Sequence, residues 1–161
     1  MCSVSVEDAA SVVGFAPEEI LLGQPTRAAK LKWVIVVDEA LPAGRAVNAA
    51  VCAAAATAVA VPGLLGPEVE DAAGTRHLGL PWAGCSILGA DSARLAAVRA
   101  SAEAAADILV ADMPSIAQSV RVYDEYVEQL ARTDGVGYYA VSLIGPRNKV
   151  DKIVRKLPLL A

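Results

Sequence analysis

Arg45, Asn48 and Cys52 stand at i, i+3 and i+7, so on a helix all three project from one face. Asn48 has four hydrogen-bonding capacities, and the first turn of a helix itself favours anions. Arg45 is placed against a local rule, because a cation near a helix N-terminus costs about 0.3–1 kcal/mol. Residues kept against such a rule are candidates for function. The three therefore form a candidate binding set for a small polar or anionic ligand. The competing reading is a solvated Arg45, an Asn48 bonded to nearby backbone and a Cys52 packed in the core. Asp112 and Asp38 join the candidates, since each closes an apolar, strand-like run. Open α/β sheets place ligands along the edge where such strands end. Two carboxylates near one arginine make either acid–base machinery or an ion pair.

Other constellations carry less. Gly135-Val136-Gly137-Tyr138-Tyr139-Ala140 fits G-x-G-x-x-A in letters. It precedes a strand, whereas a dinucleotide site needs it between strand and helix. His77 is the sole histidine and sits in a Gly/Pro-flanked loop, which argues against a Ser-His-Asp triad. Cys2, Cys52 and Cys85 are odd in number and form no C-x-x-C pair, so neither a disulfide framework nor a metal site is expected. No cofactor is expected. Arg147, Lys149, Lys152, Arg155 and Lys156 crowd the last helical stretch, where cations favour the helix terminus and read as a solvated face.

The elements that position these residues alternate. Leu31–Val37 (LKWVIVV) reads as a central strand covered on both faces. A helix follows from Arg45 to about Val61, with Val47, Val51, Ala54 and Ala58 as its core period. Turn signals fill residues 62–74. Strands are expected at Cys85–Leu88, Asp107–Ala111 and Tyr138–Ile144. Asp91 caps a helix to about Ala106, and Met113–Ser119 is a loop. A helix from about Val120 to Arg132 carries a core stripe of Tyr123, Tyr126, Val127 and Leu130, and Pro146–Lys156 closes the chain. Val6–Val13 and Pro17–Leu22 are expected as short helices of an N-terminal extension, residues 1–30. The alternation predicts a layered α/β domain over residues 31–161.

Composition agrees with a single folded domain. The 161 residues are 55% hydrophobic and 20% charged, which excludes intrinsic disorder. A net charge of −4 argues against nucleic acid as a partner. Residues 1–5 lack a basic n-region, and the apolar run from Ala49 to Val61 is too short for a bilayer that needs about 20 residues. No membrane association is expected, and a reducing cytoplasmic location is.

Two stretches resemble known families. Residues 32–56 (KWVIVVDEALPAGRAVNAAVCAAAA) and 142–160 (SLIGPRNKVDKIVRKLPLL) look like the opening strand–loop–helix and the closing strand–helix of type-2 peptidyl-tRNA hydrolases. The likeness is closer to an uncharacterised bacterial family, domain of unknown function family two thousand. It is carried by Asn48, by Asp71 to Gly74 (D-x-x-G), by Tyr123 and Tyr126, and by Gly145 to Ile153 (G-x-x-x-x-V-D-K-I). The resemblance implies a three-layer α/β/α fold with a mixed four- to five-stranded sheet, and a homodimer. Where the hydrolases carry a G-K-G-K segment, then a glutamine and a histidine, this chain has Gly44, Arg45, Ala46 and Val47, then Val51 and Ala54. The hydrolases' aspartate matches Asp112; their threonine falls on Ile116, with Ser115 and Ser119 beside it. The expected function is thus a hydrolase-like scaffold that lacks peptidyl-tRNA hydrolase activity and binds a small ligand through Arg45, Asn48, Cys52, Asp38 and Ser115. The alternative is an enzyme acting on an acyl or aminoacyl ester, with Asp112 orienting water or amine and Arg45 stabilising the oxyanion.

Overall fold

The run LKWVIVVD becomes strand β1 (Leu31–Asp38) in the computed structural model, which describes residues 12–161. Alternate side chains enter two cores, as a strand covered on both faces requires. Leu31, Trp33, Ile35 and Val37 pack on one face, Val34 and Val36 on the other. Helix α1 (Ala43–Ala60) follows. A small hairpin, β2 (Val69–Glu70) with β3 (Arg76–His77), precedes β4 (Ser86–Ala90). Then come α2 (Ser92–Glu103), β5 (Leu109–Pro114), a 3-10 turn at Ser115–Gln118, α3 (Tyr123–Arg132), β6 (Tyr138–Pro146) and α4 (Arg147–Ile153).

The main sheet is four-stranded and mixed, in the order β4–β1–β6–β5. β1 runs parallel to β4 and antiparallel to β6, and β5 runs antiparallel to β6. The strands therefore share edges: β1, β4 and β5 end on the side where β6 begins. Helix α1 lies against β1, β5 and β6 through one core, and α2 and α4 supply the other. The C-terminal tail covers the β4 edge, with Gly89 N donating to Pro158 O (2.9 Å) and Leu160 N to Ile87 O (3.0 Å).

The expected strands are present with shifted ends. The third expected strand runs on through Met113 and Pro114, so the expected loop is instead strand and then 3-10 turn. The α2 cap is as expected, with the Asp91 carboxylate accepting from Arg94 N at 2.7 Å. The inward face of α1 is different from the expected one. Ala46, Ala49, Ala53 and Thr57 are buried, while Val47 and Val51 are 61% and 58% exposed. Small inward residues let the helix lie close to the sheet, where Thr57 joins a buried chain of hydroxyls. Trp33 Nε1 donates to Ser142 Oγ (2.8 Å), Ser142 Oγ lies 2.7 Å from Thr57 Oγ1, and Thr57 donates to Ala53 O (2.8 Å). Every member is satisfied, which removes the penalty of burying it.

Helix α3 also departs from expectation. It begins at Tyr123, buries no residue, and leaves Tyr123 77% exposed, so its tyrosines and Val127 are no core stripe. Both faces of β1, β5 and β6 are already taken by α1, α2 and α4, and α3 packs beside the Ser115–Gln118 turn instead. Of the expected N-terminal helices, Val6–Val13 lies outside the described residues except for Val12 and Val13, which are not helical. Pro17–Glu19 is a single 3-10 turn. Phe15 is buried, bonds through its N–H to Pro62 O (2.8 Å) and meets Trp82 edge-on.

Candidate functional site

Arg45 and Asn48 lie in the first turns of α1, at the edge where β1 and β5 end, and Gln118 reaches them from the 3-10 turn after β5. Gln118 Nε2 donates to Arg45 O (2.9 Å) and to Asn48 Oδ1 (3.0 Å), and Gln118 Oε1 accepts from Arg45 Nε (3.0 Å). One carboxamide thus occupies the local acceptors. Among the described residues, the terminal amino groups of Arg45 and the Nδ2 of Asn48 have no protein acceptor, so what this corner offers is donors. The guanidinium also lies over Tyr139, 5.5 Å from the ring centroid.

Continuing along the same face of α1, Cys52 borders a hollow of about 450 Å³ lined also by Asp112, Ala117, Arg121, Tyr123 and Tyr126. Cys52 is exposed there and is not a core residue. Burial pushes the Tyr126 phenol above its ordinary range, and neighbouring Tyr123 and Asp112 add to that.

Asp112 does not pair with Arg45. Its carboxylate Oδ2 accepts from Arg99 Nε at 2.8 Å, from α2 on the other face of the sheet, and Arg99 also pairs with Glu103. The hydrogen bond that Arg99 donates to Asp112 raises the Arg99 pKa. Arg99 in turn lies over Tyr138, 5.2 Å from its centroid. Tyr138 and Tyr139 thus serve opposite faces, and Tyr139 shares the α1 face with its neighbour Ala140, against strict alternation. The pairing slips between Met113 and Pro114, which face Ala140 and Tyr138, and inserts Tyr139 as an extra residue in β6. Asp38 closes β1 opposite Ala90 of β4, accepts from Ala40 N (3.0 Å), and does not join the cluster. Ser115 opens the 3-10 turn, with its N–H donating to Gly137 O (2.9 Å).

The structure thus unites Arg45 with Asn48, and Cys52 with Asp112 around the hollow, while Asp38 stands apart. Gln118, Tyr139, Arg99 and Tyr126 are the partners that sequence reasoning missed. Gln118 lies 73 residues from Arg45, and no spacing announces it. Gly137 meets Ser115 through backbone just before β6. Among the described residues, no three His, Cys, Asp or Glu side chains are grouped to hold a metal ion.

Residues 31–161 match the family described as "Protein of unknown function (DUF2000)". The chain is a member of the DUF2000 family. A solved protein of unknown function, Atu0240 from Agrobacterium tumefaciens strain C58, is similar in fold. Its TM-score is 0.74 at 15% identity, and the match covers 82% of this chain and 98% of that one. No curated protein matches. In this DUF2000 chain, several residues that carry the resemblance have structural roles. Asp71 Oδ1 accepts from Ala73 N (2.8 Å) and Thr75 N (3.0 Å), and Gly74 takes φ +82°, so D-x-x-G builds the β2–β3 turn. A Cβ on Gly145 would fall 2.9 Å from Asp107 O, Val150 is fully buried, and Asp151 pairs with Lys32. Asn48 and the tyrosines of α3 remain the ones at the candidate site.

Proposed function

We propose that this DUF2000 protein binds a small carboxylate or similar polar anion on Arg45 and Asn48, with the rest of the ligand lying toward the hollow beside Cys52. The carrying observation is Gln118, which occupies the acceptors of this corner and leaves donors facing outward. A guanidinium fork and a carboxamide donor suit a carboxylate. Ser115 belongs to the turn that carries Gln118 and has a positioning role in this reading. The test is a titration with acetate, pyruvate and N-acetylglycine, followed by the side-chain N–H signals of Arg45 and Asn48. Saturable shifts that vanish in Arg45→Gln support the reading; no shift with any of the three sinks it.

The proposal includes a three-layer arrangement similar to that of the type-2 hydrolases, a cytoplasmic setting and a homodimer. The exposed Val122, Tyr123 and Val127 favour self-association, which molar mass in solution checks. It excludes peptidyl-tRNA hydrolysis, because Gly44, Ala46, Val47, Val51 and Ala54 bring no proton-transfer group to the matching places. Release of peptide from peptidyl-tRNA by the purified protein would overturn that part. A second reading, cleavage or transfer of an acyl or aminoacyl ester, is favoured by Asp112 lining the hollow. Turnover lost in Asp112→Asn would select it over binding alone.

A further inference from the structure

At the edge where β1 and β4 begin, opposite the Arg45 corner, three cations from separate segments line one hollow of about 320 Å³. Arg27 comes from the 3-10 turn Thr26–Ala28, Lys32 from β1, and Arg147 from the start of α4. Lys32 is paired with Asp151, and Arg147 makes a 3.3 Å bond to Ala29 O. Arg27 has no carboxylate partner among the described residues. Two arginine charges therefore remain uncompensated in a chain that is net acidic. The Thr26 and Ser86 hydroxyls lie in the same lining.

This hollow meets a second one of different character at Trp33 and Cys85, which line both. The second, about 490 Å³, runs between α1 and β4 along Val47, Val51, Pro81, Ile87 and Leu160. It exists because α1 covers β1, β5 and β6 and leaves β4 uncovered. It also accounts for the outward valines of α1. At the junction, Cys85 is exposed at the mouth of both hollows, and partial desolvation pushes its thiol up to about 12, so it is neutral and suited to an apolar neighbour.

We propose that the joined hollows bind a single-chain phosphate monoester, its head on Arg27, Lys32 and Arg147 and its alkyl tail along Val47 to Ala54 of α1. Two unpaired guanidinium groups match a dianionic phosphate better than a monoanionic carboxylate. The α1 stripe spans about 10 Å at 1.5 Å per residue, which fits a tail of medium length. The site is distinct from the Arg45 corner and stands or falls separately from it.

The test is calorimetric titration of the full chain with octyl phosphate, heptyl phosphate, inorganic phosphate and octanol, together with the molar mass of each variant. Octyl phosphate is expected to bind and heptyl phosphate to bind about fourfold more weakly, as one buried methylene predicts. Arg27→Gln, at an exposed residue, is expected to weaken octyl phosphate at least tenfold with an unchanged circular-dichroism spectrum, and Val51→Glu to do the same. Arg45→Gln should leave it unchanged. Inorganic phosphate or octanol binding as tightly as octyl phosphate overturns the proposal, as does indifference to Arg27→Gln or a loss that follows Arg45→Gln. A Val51→Glu chain that changes molar mass while keeping its octyl phosphate affinity also overturns it, by showing the groove to be an interface between copies. No binding by the unaltered chain does so outright.

Discussion

Arg99 holds Asp112 from beneath the sheet, Nε to Oδ2 at 2.8 Å, although Asp112 also lines the hollow above Tyr126. Both side chains are mostly buried, so the pair is worth more than a surface one. Asp112→Ala is expected to lower stability by about 1.5–3 kcal/mol, the range for a hydrogen bond to a charged group. Urea denaturation measures this, and a change within 0.5 kcal/mol, roughly the scatter of surface substitutions, would contradict it.

The hydroxyl chain under α1 gives a second prediction. In Ser142→Ala the buried Trp33 Nε1–H loses its acceptor, at a cost of about 1–3 kcal/mol. The double variant Trp33→Phe/Ser142→Ala removes donor and acceptor together. Its loss should be smaller than the sum of the single losses, and an additive result would show that the two groups do not interact.

Cys85 predicts a pH profile. With its thiol pushed up to about 12, a chain carrying Cys2→Ser and Cys52→Ser should alkylate slowly at pH 8 and about tenfold faster for each unit of added pH. Reaction with iodoacetamide at pH 8 as fast as that of a free thiol would show that the sulfur is not desolvated.

Asp71 predicts the opposite direction. Backbone N–H donors from Thr75 and Ala73, with His77, hold its carboxyl below the usual range. A folded pKa below the unfolded one means that the unfolded chain binds more protons as the pH falls. The contribution is therefore complete above about pH 4, the unfolded carboxylate range, and is lost as pH falls through the folded value. Amide exchange at Ala73 and Thr75 should rise on acidification beyond its intrinsic pH dependence, and Asp71→Asn should abolish that excess.

What was legible in the sequence were features written into local runs. LKWVIVV announces a doubly covered strand because each residue in turn must be apolar, and Asp91 announces a cap through one side chain. The facing of α1 was not legible. Its alanines and valines score alike as apolar, and which set turns inward depends on how closely the helix approaches Trp33 and Ser142. The stripe on α3 misleads for a related reason: amphipathic spacing shows that a helix has two sides, not that a sheet face remains for one of them. At the candidate site, Arg45 and Asn48 could be paired by spacing, whereas Gln118 arrives from a turn that only the strand order brings near.

The slipped pairing at Met113 and Pro114 is what brings an aromatic ring under α1 at this corner. Were β6 shorter by that single residue, Tyr138 would keep its place opposite Pro114 and beneath Arg99, and only the bed under the Arg45 guanidinium would be withdrawn. A deletion so small would therefore register at one arginine and spare the other, which leaves the α1 side of the strand free to be reshaped independently.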